Sequence, residues 1–559
     1  MALPILSVSK KKRSSSSLRL TLGTASALIG GGLVAYLILN QQTSFSLPVG
    51  ANLIPQDAVF AVSVSTDPAQ WKQMRDFGTN DTQVILERNL ASVRDRLLTS
   101  NGYDYQQDIQ PWVGEAISFA FLSPEANTAK PKPVVDSGVI TPQSVVMVLP
   151  VKDPQKAASL LAKSKSNKQG DWVERTYNGI AVKETKNAAT GTYSATLLDG
   201  RFLVIADNPK ATEAAIDTFK GKPSLATIPG YQENFRKISA SHPFAQFYIN
   251  VPAAAKMSAA SATRPLPAQV LAQLQHNQGI EGTMNLESEG IRLKAVSWLK
   301  PNSDRVLAVE NQAGNMQNRL PAETLMMLSG GNLARSWQDY VLTSQNNPNS
   351  PIPPEQMRAG IKSLTNLDLE RDLLSWMNGE FSLAVIPAAP TKGSSADFRA
   401  GLMFMVHASD RASAEQSIAK IDQAMQNQYQ FKIQPATSNG KPVTNWVAPY
   451  GTLAATHGWL DNDVAFLSLG APVSEKIVPE PATTLASTNL FQNTVPKEPS
   501  PSNGQFFLDL ERTKSLPLPI LLSDQQAILA PMRSIGVTAA VSDSHSTQYD
   551  IFFSLKKRM

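Results

Sequence analysis

Residues 108–122 read DIQPWVGEAISFAFL, and residues 372–386 read DLLSWMNGEFSLAVI. An acidic residue, a tryptophan, a Gly-Glu pair and an apolar strand thus recur about 265 positions apart. Self-similarity at so long a period implies one folding unit used twice, so a fold that suits one half must suit the other. The match runs outward on both sides. LIPQDAVFAVSVSTDPAQWKQM in the first half answers RLPAETLMMLSGGNLARSWQDY in the second, with Pro55 and Pro321 standing 266 apart, as do Trp71 and Trp337.

Further along, SVVMVLPVKDPQKAASLLAKSK (144–165) corresponds to AGLMFMVHASDRASAEQSIAKI (400–421), each an apolar strand, a capped start and an amphipathic helix. Asp153 caps free backbone N–H groups while Pro154 takes the first helical position, where its missing donor costs nothing. Ser409 or Asp410 serves the same purpose in the second half. TYSATLLDGRFLVIAD (192–207) matches TLAATHGWLDNDVAFLSLG (452–470), with Asp199-Gly200 and the Asp461 to Asp463 stretch as hairpin turns. FAQFYINV (244–251) matches QFFLDL (505–510), and the hairpin 282–299 matches 536–555.

A chain of 559 residues exceeds what one hydrophobic core usually organises. The repeat divides it into a basic N-terminus (1–19), an apolar segment (20–39), a linker (40–49), a first domain (50–301), a second linker (302–318) and a second domain (319–557). Antiparallel strand pairs interrupted by helices, such as 82–98 and 268–275, predict an α+β fold of tandem domains rather than a parallel sheet. Both halves break at the same place, 123–143 and 387–399, in stretches rich in Pro, Ser, Ala and Lys that read as loop tips.

The formal charge of +5 is confined to one end. Lys10, Lys11, Lys12, Arg13 and Arg19 precede any acidic residue, and without them 51 − 5 = 46 basic residues balance 46 acidic ones. A neutral body removes the electrostatic argument for nucleic-acid binding. Lys556, Lys557 and Arg558 read as a solvated tail.

The basic run stands directly before LTLGTASALIGGGLVAYLIL (20–39), twenty uncharged positions. As a helix these reach roughly 30 Å, the thickness of the hydrocarbon core. The positive-inside rule then keeps the N-terminus in the cytoplasm and sends the bulk of the chain across the membrane. A cleaved signal peptide is the competing reading, with Ser44-Phe45-Ser46 as a poor cleavage site, but the length of the apolar run favours a retained anchor. Gly23, Ala27, Gly31 and Ala35 form a small-residue stripe that could admit a second helix, although glycine and alanine are common in membrane helices anyway.

Cysteine is absent, which excludes disulfides, a thiol nucleophile, thiolate metal sites and a lipid-modified cysteine. The five histidines, His242, His276, His407, His457 and His545, show no close ligand spacing. No G-x-S-x-G occurs outside the apolar segment, the Ser-x-x-Lys matches lack companion motifs, and no phosphate loop is present. Glu115 beside Trp112 and Glu380 beside Trp376 could act as an acid or base with a raised pKa. Retention in both halves, as for Trp71 and Trp337, reads more economically as a fold element. No cofactor or metal is expected.

The basic stretch with its single span, LIPQDAVFAVSV, DIQPWVGEAISFAFL and LLDGRFLVIAD together resemble a cyanobacterial membrane-anchored family catalogued as domain of unknown function 3352. The resemblance covers nearly all of residues 50–557. It implies a plasma-membrane or thylakoid setting with the body periplasmic or lumenal, and it brings no established activity. Three functions remain open: a non-enzymatic protein-binding or scaffolding module, a carrier or sensor of an apolar ligand, and an envelope hydrolase with dispersed residues. The last requires a histidine to meet a serine and a carboxylate in a cleft.

Overall fold

A computed structural model describes residues 47–558 apart from 100–102, 123–143, 163–170, 187–192, 261–275, 304, 345–352, 389–399 and 514–528. The apolar segment with Gly23, Ala27, Gly31 and Ala35, the basic residues Lys10 to Arg19, the expected helix 268–275, the 123–143 loop and most of the 387–399 loop lie outside the described residues. Among those described, no helix is long and apolar enough to cross a membrane.

The fold is a mixture of helices and antiparallel sheet. Strands β1 (Phe60–Ser65), β2 (Ala116–Leu122), β3 (Ser144–Pro150), β4 (Asp171–Tyr177), β5 (Ile180–Lys186), β6 (Ser194–Leu198), β7 (Phe202–Ala206), β8 (Ala245–Asn250), β9 (Asn277–Glu287) and β10 (Gly290–Leu299) come first. They pair in the order β4-β5-β6-β7-β3-β2-β1-β8-β9-β10. The later strands are β11 (Met326–Gly330), β12 (Phe381–Pro387), β13 (Ala400–His407), β14 (Lys432–Ser438), β15 (Lys441–Val447), β16 (Leu453–Trp459), β17 (Val464–Gly470), β18 (Gly504–Asp509), β19 (Met532–Asp543) and β20 (Ser546–Leu555). Their order, β14-β15-β16-β17-β13-β12-β11-β18-β19-β20, is the same with every index raised by ten.

The final strands of the two halves pair with each other, joining the 20 strands of the described residues into one sheet. Gly290 faces Ser554, Lys294 faces Asp550 and Trp298 faces Ser546, so the seam is symmetric about the Lys294/Asp550 pair. Gly290 is required there, because a Cβ at this position would stand 2.0 Å from the Phe553 carbonyl oxygen.

Side chains alternate across the sheet. In β3, Val146 and Val148 join a core with Tyr231, Phe235 and Tyr248, while Val145, Met147 and Leu149 join a second core with Trp112 and Leu97. Burial on both faces explains why this strand is a continuous apolar run. Helix caps follow the sequence reading. Asp153 accepts from the N–H groups of Gln155 and Lys156, both at 3.1 Å, ahead of helix Pro154–Ala162. Asp410, rather than Ser409, caps helix Arg411–Tyr429. The Asp199-Gly200 turn has φ of 52° and 64°, the left-handed pair that a tight hairpin demands.

Candidate functional site

The recurring stretch forms a local structural device in each half. In the first half, Asp104 caps a π-helical turn, Tyr105–Ile109, by accepting from Gln107 N–H, and Asp108 returns a bond from the Asp104 N–H at 2.9 Å. Asp368 and Asp372 repeat both bonds around Leu369–Leu373. Trp112 and Trp376, each 2% exposed, then turn into the core beneath the next strand. The Trp112 indole donates to the Asp108 carbonyl at 2.5 Å, whereas the Trp376 indole finds no partner among the described residues. A Cβ on Gly114 would lie 2.7 Å from Pro150, and one on Gly379 would lie 2.7 Å from the His407 carbonyl.

The glutamates diverge. The Glu115 side chain is exposed, while one Glu380 oxygen accepts from the N–H groups of Gly314, Asn315 and Met316 at 2.8, 2.8 and 3.1 Å. Glu380 thereby pins residues of the expected 302–318 linker to the sheet. Trp71 donates to the Ser65 carbonyl at 2.7 Å, and Trp337 donates to Glu370 at 2.8 Å beneath the Arg358 guanidinium. None of these six residues lines the cavity that opens between the two halves.

That cavity is a cleft of ≈ 700 Å³ beside the seam, lined from both halves. Its floor is Asn285, Glu287, Arg292, Lys294 and Asp550, and one wall is Gln492, Asn493 and Val495 to Glu498. Gln70 and Gln73 border it, with the Gln73 amide donating to the Glu287 carbonyl at 3.2 Å. Arg292 bridges Glu287 and Asp550, the latter at 3.2 Å. Burial raises the Asp550 pKa, with the charges of Arg292 and Lys294 opposing the rise.

A difference between the halves accounts for this opening. Tyr231 packs edge-on against Tyr248, as Phe491 packs on Phe507 in the same register. Gln232 donates to the Ala226 carbonyl, as Gln492 does to Ala486. The helix Tyr231–Lys237 continues through Arg236 and places Lys237 on Asp543 at 2.8 Å and Ser546 at 3.1 Å, while Gln548 donates to the Lys237 carbonyl at 3.2 Å. In the second half Pro496 stands where Arg236 stands. The helix Asn489–Thr494 stops short of it, because proline lacks the N–H and disfavours helical backbone before it. Lys497, in the place of Lys237, makes no ion pair among the described residues, and the cleft lies between it and Glu287.

The same face of β9 carries Glu281, Thr283, Asn285 and Glu287, a row leading from the core to the cleft. Glu281 is fully buried, and neither carboxyl oxygen has a hydrogen-bond partner among the described residues. Burial pushes its pKa up to about 10, with the Lys237 charge opposing, so the group is a neutral acid at pH 7. Its neighbours across the strands are Tyr248 and Val296. The same register place in the second half holds Gly536, between Phe507 and Phe552, where a Cβ would lie 2.1 Å from the Thr494 carbonyl. Sequence reading missed Glu281 because its motif-free surroundings, EGTMNLE, give no sign of burial. Setting 231–240 against 491–500 would have exposed Pro496.

Histidines do not assemble a hydrolytic set among the described residues. His457 bonds Asp422 at 2.9 Å beside Trp446, and His407 pairs with Asp463 at 2.9 Å. His545 contacts the adjacent Ser544 on an exposed turn, His276 contacts Ser303, and His242 borders the cleft. No group of three or more His, Asp or Glu among the described residues is placed to hold a metal ion.

None of the curated proteins matches the chain. Among solved structures, crystal form III of TP0453 is similar at 10% identity, with a TM-score of 0.26 and coverage of 46% of this chain and 82% of that one. Crystal form I gives 11% identity, a TM-score of 0.25, and coverage of 47% and 81%. Likeness at that level carries no argument about fold or function. The family model described as Protein of unknown function (DUF3352) matches residues 21–555. The chain therefore belongs to the DUF3352 family.

Proposed function

We propose that this chain is a non-enzymatic binding module, anchored by its N-terminal apolar segment in a plasma or thylakoid membrane, whose two halves arose by duplication. Its periplasmic or lumenal body receives a polar segment of another protein in the cleft beside the seam. One observation carries the reading: the cleft beside the seam is built jointly by both halves and floored by Glu287, Arg292, Lys294 and Asp550. A site between two folding units is where ligands commonly bind. The charged floor suits a polypeptide better than the apolar ligand of a carrier.

The test is gentle detergent extraction of the full-length chain from its native membrane, with mass spectrometry of all co-eluting proteins and lipids. Wild type is expected to carry a stoichiometric protein partner that Asn285→Trp, which fills the cleft from its floor, loses. A chain that purifies alone, or a partner indifferent to Asn285→Trp, would refute the proposal.

A further inference from the structure

The latched side of the molecule shows what kind of group its open side accepts. Lys237 and Asp543 on one side of the seam hold the same places as Lys497 and Glu287 on the other, and Gln548 holds the place of Arg292. On the latched side a turn of polypeptide fills the space. It offers an ammonium to the Asp543 carboxylate at 2.8 Å and a main-chain carbonyl to the Gln548 amide at 3.2 Å. On the open side the two receiving groups keep their chemistry: Glu287 is still a carboxylate, and Arg292 is still an N–H donor. What is missing is the last helical turn, which Pro496 prevents this chain from supplying.

We propose, building on the binding-module reading above, that the cleft takes a segment of the partner polypeptide that replaces this turn. The segment presents a lysine or arginine side chain to Glu287 and a main-chain carbonyl to Arg292. The Glu287 side chain is 40% exposed and open to a ligand. Arg292 spends its Nε and Nη1 donors on Glu287 and Asp550, and among the described residues the second terminal nitrogen of its five-donor fork remains for a carbonyl. Arg292, Lys294 and Lys497 balance Glu287, Glu498 and Asp550 around the lining, so no net charge repels an incoming cation. Charge pairing of this kind fixes register and selects against wrong partners.

The experiment uses a fluorescent, N-acetylated peptide with the sequence of residues 229–240, PGYQENFRKISA, titrated with the full-length chain in detergent and read by anisotropy. Saturable binding is expected, weakened roughly tenfold, or about 1.4 kcal/mol, both by alanine at the peptide's counterpart of Lys237 and by Glu287→Gln in the protein. No saturable binding, or binding indifferent to both changes, would overturn the inference. Thermal unfolding of Glu287→Gln at the wild-type temperature separates loss of the site from loss of the fold. If Glu287→Gln still co-purifies with the native partner at wild-type level, the binding-module reading survives and this recognition mode does not.

Discussion

Replacing Glu281 by glutamine should stabilise the protein at neutral pH, and the size of the gain follows from the site. The carboxyl is fully buried without hydrogen-bond partners among the described residues, and its pKa rises from 4.5 to about 10. Between those values the native state holds a proton that the unfolded state releases. Stability from this group is therefore complete below about pH 4.5 and declines as pH rises, by about 1.4 kcal/mol per unit, until the folded pKa is reached. At pH 7 the accumulated loss is about 3 kcal/mol. Glutamine keeps the shape and stays neutral in both states, so the loss vanishes. Urea denaturation at pH 5, 7 and 9 should show the variant near wild type at pH 5, more stable by about 3 kcal/mol at pH 7, and further ahead at pH 9. Parallel pH profiles would refute the reasoning, since they would mean that Glu281 titrates alike in both states.

Lys237→Ala should unlatch the closed side at a cost of about 1 kcal/mol by thermal unfolding, since one partner is half exposed. Burial raises the Asp543 pKa, but bonds from Lys237, Ser546 and the His545 N–H more than offset it and hold the group at about 2. Its contribution is present above the unfolded carboxylate range and is lost as pH falls through about 2; in Lys237→Ala that acid-side loss should shrink between pH 5 and 2. Glu380→Ala strips the acceptor from three N–H groups and should cost about 2 kcal/mol in urea. Faster hydrogen exchange at residues 314–316 would accompany it. Trp112→Phe removes the indole bond to Asp108 and should cost about 1–2 kcal/mol, whereas Trp376→Phe, whose indole has no partner among the described residues, should cost less.

By itself the sequence determined the local elements, because their causes are local. The Asp153-Pro154 start, the Asp199-Gly200 turn and the period-two burial of β3 depend on residues within a few positions of one another. The recurrence of a Trp followed by Gly-Glu at 112–115 and 376–380 was legible in the sequence alone. So were two hairpins absent from the sequence reading: Asn178-Gly179 and Asn439-Gly440 have positive φ at both residues, the strongest short hairpin signal there is.

Only the tertiary structure decided how the halves meet. A strand's pattern states which face it buries but not which distant strand it pairs with, so β10 against β20, centred on Lys294 and Asp550, could not be read. The cleft is likewise a difference between the two packed halves, created where Pro496 ends a helix that Arg236 lets continue. Glu281 carries the same lesson. A carboxylate in a polar stretch of sequence becomes a buried neutral acid only because Tyr231, Tyr248 and Trp298, 17 to 50 positions away in the chain, close a core around it.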